Sequence, residues 1–84
     1  MHYVYILLSE RDNQLYTGCT HDLKERYDLH NAEKVESTKN RRPLKLIYYE
    51  ASINKQDAFK REKYLKTTYG KRYIYNRLKK YFTG

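Results

Sequence analysis

The chain has 84 residues, 39% hydrophobic and 33% charged, with three glycines and one proline, which allows one small core, not two, and excludes a disordered or low-complexity chain. Residues 1–84 are therefore read as a single domain. Eighteen Lys and Arg against ten Asp and Glu leave a net charge of +8, which favours a polyanionic partner, nucleic acid first, although charge alone fits a merely well-solvated surface equally well.

The first element is a strand over residues 3–8, YVYILL, rich in β-branched and aromatic side chains. Its apolar run is too short, and too soon followed by Ser9-Glu10-Arg11-Asp12, for a signal peptide or a membrane span. Across the polar stretch SERDNQ, with Asp12-Asn13 as its turn signal, residues 15–17 give a second strand and hence a β-hairpin. Tyr3 and Tyr5 share one face of the first strand, and Tyr16 comes near one or the other according to the register.

The second strand ends at Gly18. Cys19, the one cysteine, allows neither an internal disulfide nor a cysteine metal cluster, reads as a half-buried filler, and points to a reducing, cytoplasmic setting. Thr20 or Asp22 caps a helix running to about Asn31, with Asp22 and Glu25 near its positive end. At about 100° per residue, Leu23, Tyr27 and Leu29 form its apolar face. Arg26 and His30 fall inside that arc, four residues apart, so their side chains lie next to each other.

The chain loosens through AEKVESTKNRRP, and LKLIYYEA at 44–51 reads as a third strand. Asn54 caps a helix from 55 to about 67, ended by Thr67, Thr68 and Gly70. On it Ala58, Phe59 and Leu65 define the inner face, with Glu62 among them while Lys60 and Lys63 point out. A last helix, 71–82, carries Ile74, Leu78, Tyr81 and Phe82 at helical spacing.

A charge turned inward is costly unless it is paired, ligated or open to a cleft. Two arrangements answer to that rule: an Arg26–Glu62 ion pair joining two helices with His30 as a core histidine, or a polar cleft in which Arg, His, Glu and Tyr surround a phosphate.

YVY at 3–5, YTG at 16–18, Arg26, His30, Glu62 within REKYLK and the following GKRYIYNRL together resemble the GIY-YIG nuclease family, most of all its small stand-alone bacterial members. Tyr3 stands in place of the first glycine of the pattern and Thr17 in place of the isoleucine of Y-I-G. The resemblance implies an α/β fold of the α+β type, a three-stranded antiparallel sheet flanked by helices. It also implies metal-dependent hydrolysis of DNA with one divalent ion, Mg²⁺ or Mn²⁺, in repair, recombination or processing.

By motif position Glu62 would be the metal ligand and Arg26 the phosphate contact. Tyr5, Tyr16 and His30 would surround the attacking water, with Tyr5 as the base and the roles of the three exchangeable. Asn76 matches a late family asparagine, although helix phase places it off the Ile74–Leu78–Tyr81 stripe.

The homing and repair relatives carry an appended DNA-binding domain, and none is legible here, so specificity is expected to be low or borrowed. Lys24, the basic loop with Lys39, Arg41 and Arg42, and the later Lys71 and Arg72 are the expected DNA-backbone contacts. The competing reading is a non-catalytic nucleic-acid-binding module that keeps the same fold. Glu62 separates the two, because an inward carboxylate repels phosphate unless a metal intervenes.

Overall fold

The computed structural model describes residues 1–84. In chain order the elements are β1 (His2–Ser9), β2 (Leu15–Thr20), α1 (Leu23–Asn31), β3 (Leu44–Ser52), α2 (Lys55–Leu65), α3 (Thr68–Arg77) and α4 (Lys79–Thr83). The strands form one antiparallel sheet in the order β2-β1-β3, flanked by helices, so the fold is α+β as the sequence implied.

The central place of β1 explains its unbroken apolar run, since a strand covered on both faces has no solvent side to mark with polar residues. Val4 and Ile6 point to one face and pack with Ala58 and Leu65 of α2 and Ile74 of α3. Tyr5 and Leu7 point to the other and pack with Leu44, beside Leu23 and Tyr27 of α1. The sheet thus separates α1 from the α2–α3 pair, and Cys19 fills a place against the α2–α3 side as expected.

The hairpin turn lies where Asp12-Asn13 placed it: Asn13 takes a left-handed φ of 59° and the Asp12 carboxylate accepts from the Gln14 N–H. Of the two candidate caps for α1, Asp22 is the one, accepting from the Glu25 N–H at 3.1 Å. Asn54 caps α2 through bonds from the Gln56 and Asp57 N–H groups.

The C-terminal half departs from the sequence reading in three ways. Thr67, Thr68 and Gly70 do not end α2, which stops at Leu65; Thr67 instead caps α3, accepting from the Gly70 N–H at 3.1 Å. Gly70 lies in the first turn of α3 because that turn crosses the end of α2 closely. A Cβ there would stand 2.1 Å from the Tyr64 carbonyl oxygen. The expected helix 71–82 is two helices joined at Leu78, whose φ of −109° and ψ of 30° are not helical. Ile74 and Leu78 reach the core, whereas Tyr81 is exposed and Phe82 packs locally on Tyr75, ring centroids 4.6 Å apart.

Phe59, expected on the inner face of α2, is instead 38% exposed with the Lys55 ammonium over its ring, and Ala58 and Leu65 make the buried face. Between α1 and β3 the loop is anchored by two buried residues, Val35 and Thr38.

Candidate active site

The site begins with the absence of a side chain. Gly18 stands opposite Tyr5 in the β1–β2 ladder, and a Cβ at that position would meet the Tyr5 hydroxyl oxygen at 2.3 Å and its ring at 2.4 Å. Glycine therefore lets the phenol lie across β2. Tyr16, two residues earlier on the same face, is opposite Leu7. This register settles which tyrosines meet: the rings of Tyr5 and Tyr16 are 6.4 Å apart, while Tyr3 packs edge-on against Tyr49 at 5.9 Å.

From α1 the His30 imidazole comes down between these rings, 5.7 Å from Tyr5 and 5.1 Å from Tyr16, both in edge contact. His30 is fully buried and hydrogen bonded at both nitrogens. Nε2 is 2.8 Å from the Tyr5 hydroxyl and Nδ1 is 2.7 Å from Oγ1 of Thr38, itself fully buried. Burial, with the Arg26 charge second, lowers the imidazole to about 4, so it is neutral near pH 7. Burial likewise pushes Tyr5 up to about 12, outweighing the pull of Arg26. The resting pair is a phenol and a neutral imidazole, and the one imidazole proton makes His30 a donor on one side and an acceptor on the other.

Arg26, one turn before His30, is half-buried and has no carboxylate partner. Its guanidinium interacts with the hydroxyls of Tyr5 and Tyr16, which hold its pKa up. The Arg26–Glu62 ion pair is therefore not formed. Glu62, on α2 across the sheet, pairs with Lys66 one turn along its own helix at 3.3 Å, its side chain 21% exposed and that of Lys66 57%. Its charge is felt by both Tyr5 and Cys19, raising each.

The fold thus brings Tyr5, Tyr16, Arg26 and His30 into one cluster, with Glu62 on α2 across the sheet. Asn76 is exposed on α3 and hydrogen bonds to none of them. Thr38, which orients His30, was not legible: it lies in a loop without periodicity, and its one sequence signal was a small hydroxyl residue between Val35 and the basic run.

Among the cations expected at a nucleic-acid backbone, four are paired within the chain: Lys24 with Asp28, Lys39 with Glu36, Arg41 with Asp12 and Arg42 with Glu33. Lys71 and Arg72 are exposed on α3 without an ion pair, Arg72 lying over the Tyr69 ring. Surface pairs of this kind contribute ~0–1 kcal/mol.

No cluster of three or more His, Cys, Asp or Glu is present. A lone, partly exposed carboxylate with an exposed ammonium as its sole partner suits a hard divalent ion that keeps most of its water. It does not suit a cation enclosed by protein ligands.

Residues 1–78 match the GIY-YIG catalytic domain family. The chain is 46% identical over 67 residues to a UPF0213 protein of Staphylococcus haemolyticus, an alignment covering 79% of this chain and 80% of that one. It is 45% identical over 67 residues to a UPF0213 protein of Clostridium perfringens, with 79% and 71% covered. Against a UPF0213 protein of Oceanobacillus iheyensis it is 42% identical over 62 residues, with 73% and 71% covered. No solved structure matches the chain.

Proposed function

Because the chain belongs to the GIY-YIG catalytic domain family, we propose that it is a metal-dependent endonuclease hydrolysing DNA phosphodiester bonds with low sequence specificity, in DNA repair, recombination or processing. The observation that supports this reading most is a half-buried guanidinium, Arg26, that has no carboxylate of its own and sits against the Tyr5–His30–Thr38 chain of hydrogen bonds. A cation held in place without a counter-anion is a site for an anionic ligand.

Phosphodiester hydrolysis adds a water oxygen to phosphorus and breaks the bond to the leaving sugar oxygen, building negative charge on the phosphoryl oxygens. Arg26 binds one of those oxygens and meets the growing charge with a fixed positive one. The same contact has a second effect. Burial holds His30 low and Arg26 adds to it, so a phosphate that neutralises the Arg26 field removes the smaller of the two effects and makes the imidazole a better proton acceptor.

In this reading the base is the pair. Tyr5 takes a proton from the attacking water while its own hydroxyl proton passes to Nε2 of His30 over the 2.8 Å contact. Nδ1–H donates to Thr38, which fixes the receptive tautomer. Tyr5 alone would be a poor base, since burial keeps it a phenol. Tyr16, packed edge-on against His30, confines the imidazole, and its hydroxyl adds to the electrostatic support of Arg26.

Glu62 would hold one Mg²⁺ or Mn²⁺, which would supply Lewis-acid stabilisation of the negative charge that develops in hydrolysis. Lys71 and Arg72 would position a nucleic-acid backbone without reading sequence. Asn76 keeps its place as a candidate by motif position.

The test compares wild type with Glu62→Gln on labelled duplex, single-stranded and branched DNA, with Mg²⁺, with Mn²⁺ and with EDTA. Metal-dependent cleavage lost in the variant while DNA binding persists supports the nuclease. Wild-type binding without cleavage of any substrate would favour the non-catalytic binding module.

A further inference from the structure

The largest cavity, about 530 Å³, lies on the α1 face of the sheet between the first turn of α1 and strands β1 and β3, within the ~300–1,000 Å³ range of small-ligand sites. None of its walls takes part in the mechanism above. Tyr3, Tyr27 and Tyr49 supply the aromatic surface and Leu23 and Leu46 further apolar surface, with His21, Asp22 and Lys24, the last paired with Asp28, as the polar lining.

The rings are arranged for a guest. Tyr27 is fixed by its hydroxyl bond to the Leu44 carbonyl at 3.1 Å. Tyr3 and Tyr49 meet edge to face, with an interplanar angle of 66°, and Tyr49 remains 53% exposed.

Location relative to Arg26 identifies the guest. Tyr3 and Tyr5 are alternate residues on one face of β1, so their Cα atoms are about 7 Å apart. Stacked nucleotides rise ~3.4 Å each, so the Tyr3–Tyr5 spacing matches about two stacked steps, or one step of a strand that has left its stack. Arg26 and the groove-lining Tyr27 are consecutive on α1. An aromatic groove next to the residue that would hold a phosphate, on a chain of net charge +8, has the chemistry of a base-stacking pocket.

We propose that this groove is a nucleobase subsite that takes an unpaired base flanking the phosphate bound by Arg26. The preferred nucleic acid is then one with an unpaired nucleotide at the cut: a single strand, a flap or a junction. A base paired within a duplex cannot slide between a helix and a sheet without leaving its stack. The proposal rests on the nuclease reading for the position of the phosphate.

Tyr49 is the residue to test, because it is exposed on β3 and absent from the buried clusters. Wild type, Tyr49→Ala and Tyr49→Phe are titrated in EDTA with a short fluorescent single strand and its duplex, and with a single strand carrying 2-aminopurine. The expected result is a loss of about tenfold in single-strand affinity for Tyr49→Ala, with duplex affinity unchanged and Tyr49→Phe like wild type. The 2-aminopurine emission should be quenched by wild type and not by Tyr49→Ala.

Equal weakening on both substrates, no weakening on either, or no single-strand binding by wild type would overturn the subsite. Metal-dependent cleavage measured alongside keeps the two readings apart. Cleavage with an unaltered single-strand preference in Tyr49→Ala removes the subsite and leaves the nuclease. Tyr49-dependent single-strand binding by a protein that cuts nothing retains the pocket and removes the nuclease.

Discussion

Each face of the sheet carries a half-buried arginine, and the two are used differently. On the α2 face Arg61 holds Glu50 through two bonds of 2.8 and 2.9 Å, and the Tyr48 hydroxyl donates to the same carboxylate at 2.9 Å. The Arg61 guanidinium also lies over the rings of Tyr73 and Tyr64. On the α1 face Arg26 has the hydroxyls of Tyr5 and Tyr16 and no acid at all. The first cluster closes its charge within the molecule, whereas the second leaves a cation open and keeps Glu62 apart, on the helix that covers the other face. An inward charge is therefore no sign of a site by itself; what matters is whether its counter-charge is part of the chain.

The strongest test of that contrast is to remove each arginine in turn. Arg26→Ala should lower kcat by about 10²–10³, the range for losing one fixed donor to transition-state charge, with a small change in melting temperature. Arg61→Ala should do the reverse, leaving kcat near wild type. If Arg26→Ala unfolded the protein and retained specific activity, the α1 cluster would be the structural one.

Acid should attack the two faces in order. His30 is held at about 4 when folded, against an ordinary value of 6.5, so the unfolded chain takes up the proton first. Stability from the neutral imidazole is complete above pH 6.5 and falls away toward pH 4, by up to about 3 kcal/mol. Glu50 is held below its ordinary value of 4.5, chiefly by Arg61, so its contribution is intact while most of the His30 effect develops and starts to be lost only below about pH 4.5. Thermal melts from pH 7 to pH 4 should show the decline in wild type and a flatter profile in His30→Phe. A parallel decline in both would remove His30 as its source.

At neutral pH the stability cost of Arg61→Ala is the next largest. Arg61 and Glu50 are 31% and 23% exposed, so the loss is set between surface and buried pairs, at about 1–2 kcal/mol. Urea midpoints check it, and Glu50→Gln should lose a similar amount because it strands the same guanidinium.

The sequence made the α1 cluster partly visible through periodicity. A period of two put Tyr5 on one face of β1, and a helical period put Arg26 and His30 side by side on α1. Neither period carries register, so whether Tyr16 meets Tyr3 or Tyr5 waited on the β1–β2 pairing. Nor could local pattern decide between an Arg26–Glu62 pair and separate charges, since that depends on which side of the sheet each helix covers. Gly70 shows the same limit in the fold: a glycine after a helix reads as its stop, and only the nearness of the Tyr64 carbonyl shows that it serves a helix crossing.

Thr38 gives the finest test of the open cluster, since it touches neither phosphate nor water in the proposed reaction and acts through His30 alone. Valine keeps its shape and removes Oγ1, the one partner of Nδ1. The imidazole then loses the acceptor that fixes its proton on Nδ1, and Nε2 is free of protons only part of the time. Thr38→Val should therefore lower kcat by about tenfold, equivalent to about 1.4 kcal/mol, with KM unchanged and the acid limb of the pH–rate profile displaced. Thr38→Ser, which restores the hydroxyl, should recover both. A filler role at a buried position predicts a different result: lower melting temperature in both variants and an unmoved pH profile. The pH profile therefore decides whether the hydrogen bonds of the α1 face extend the catalytic pair into the loop or only hold that loop in place.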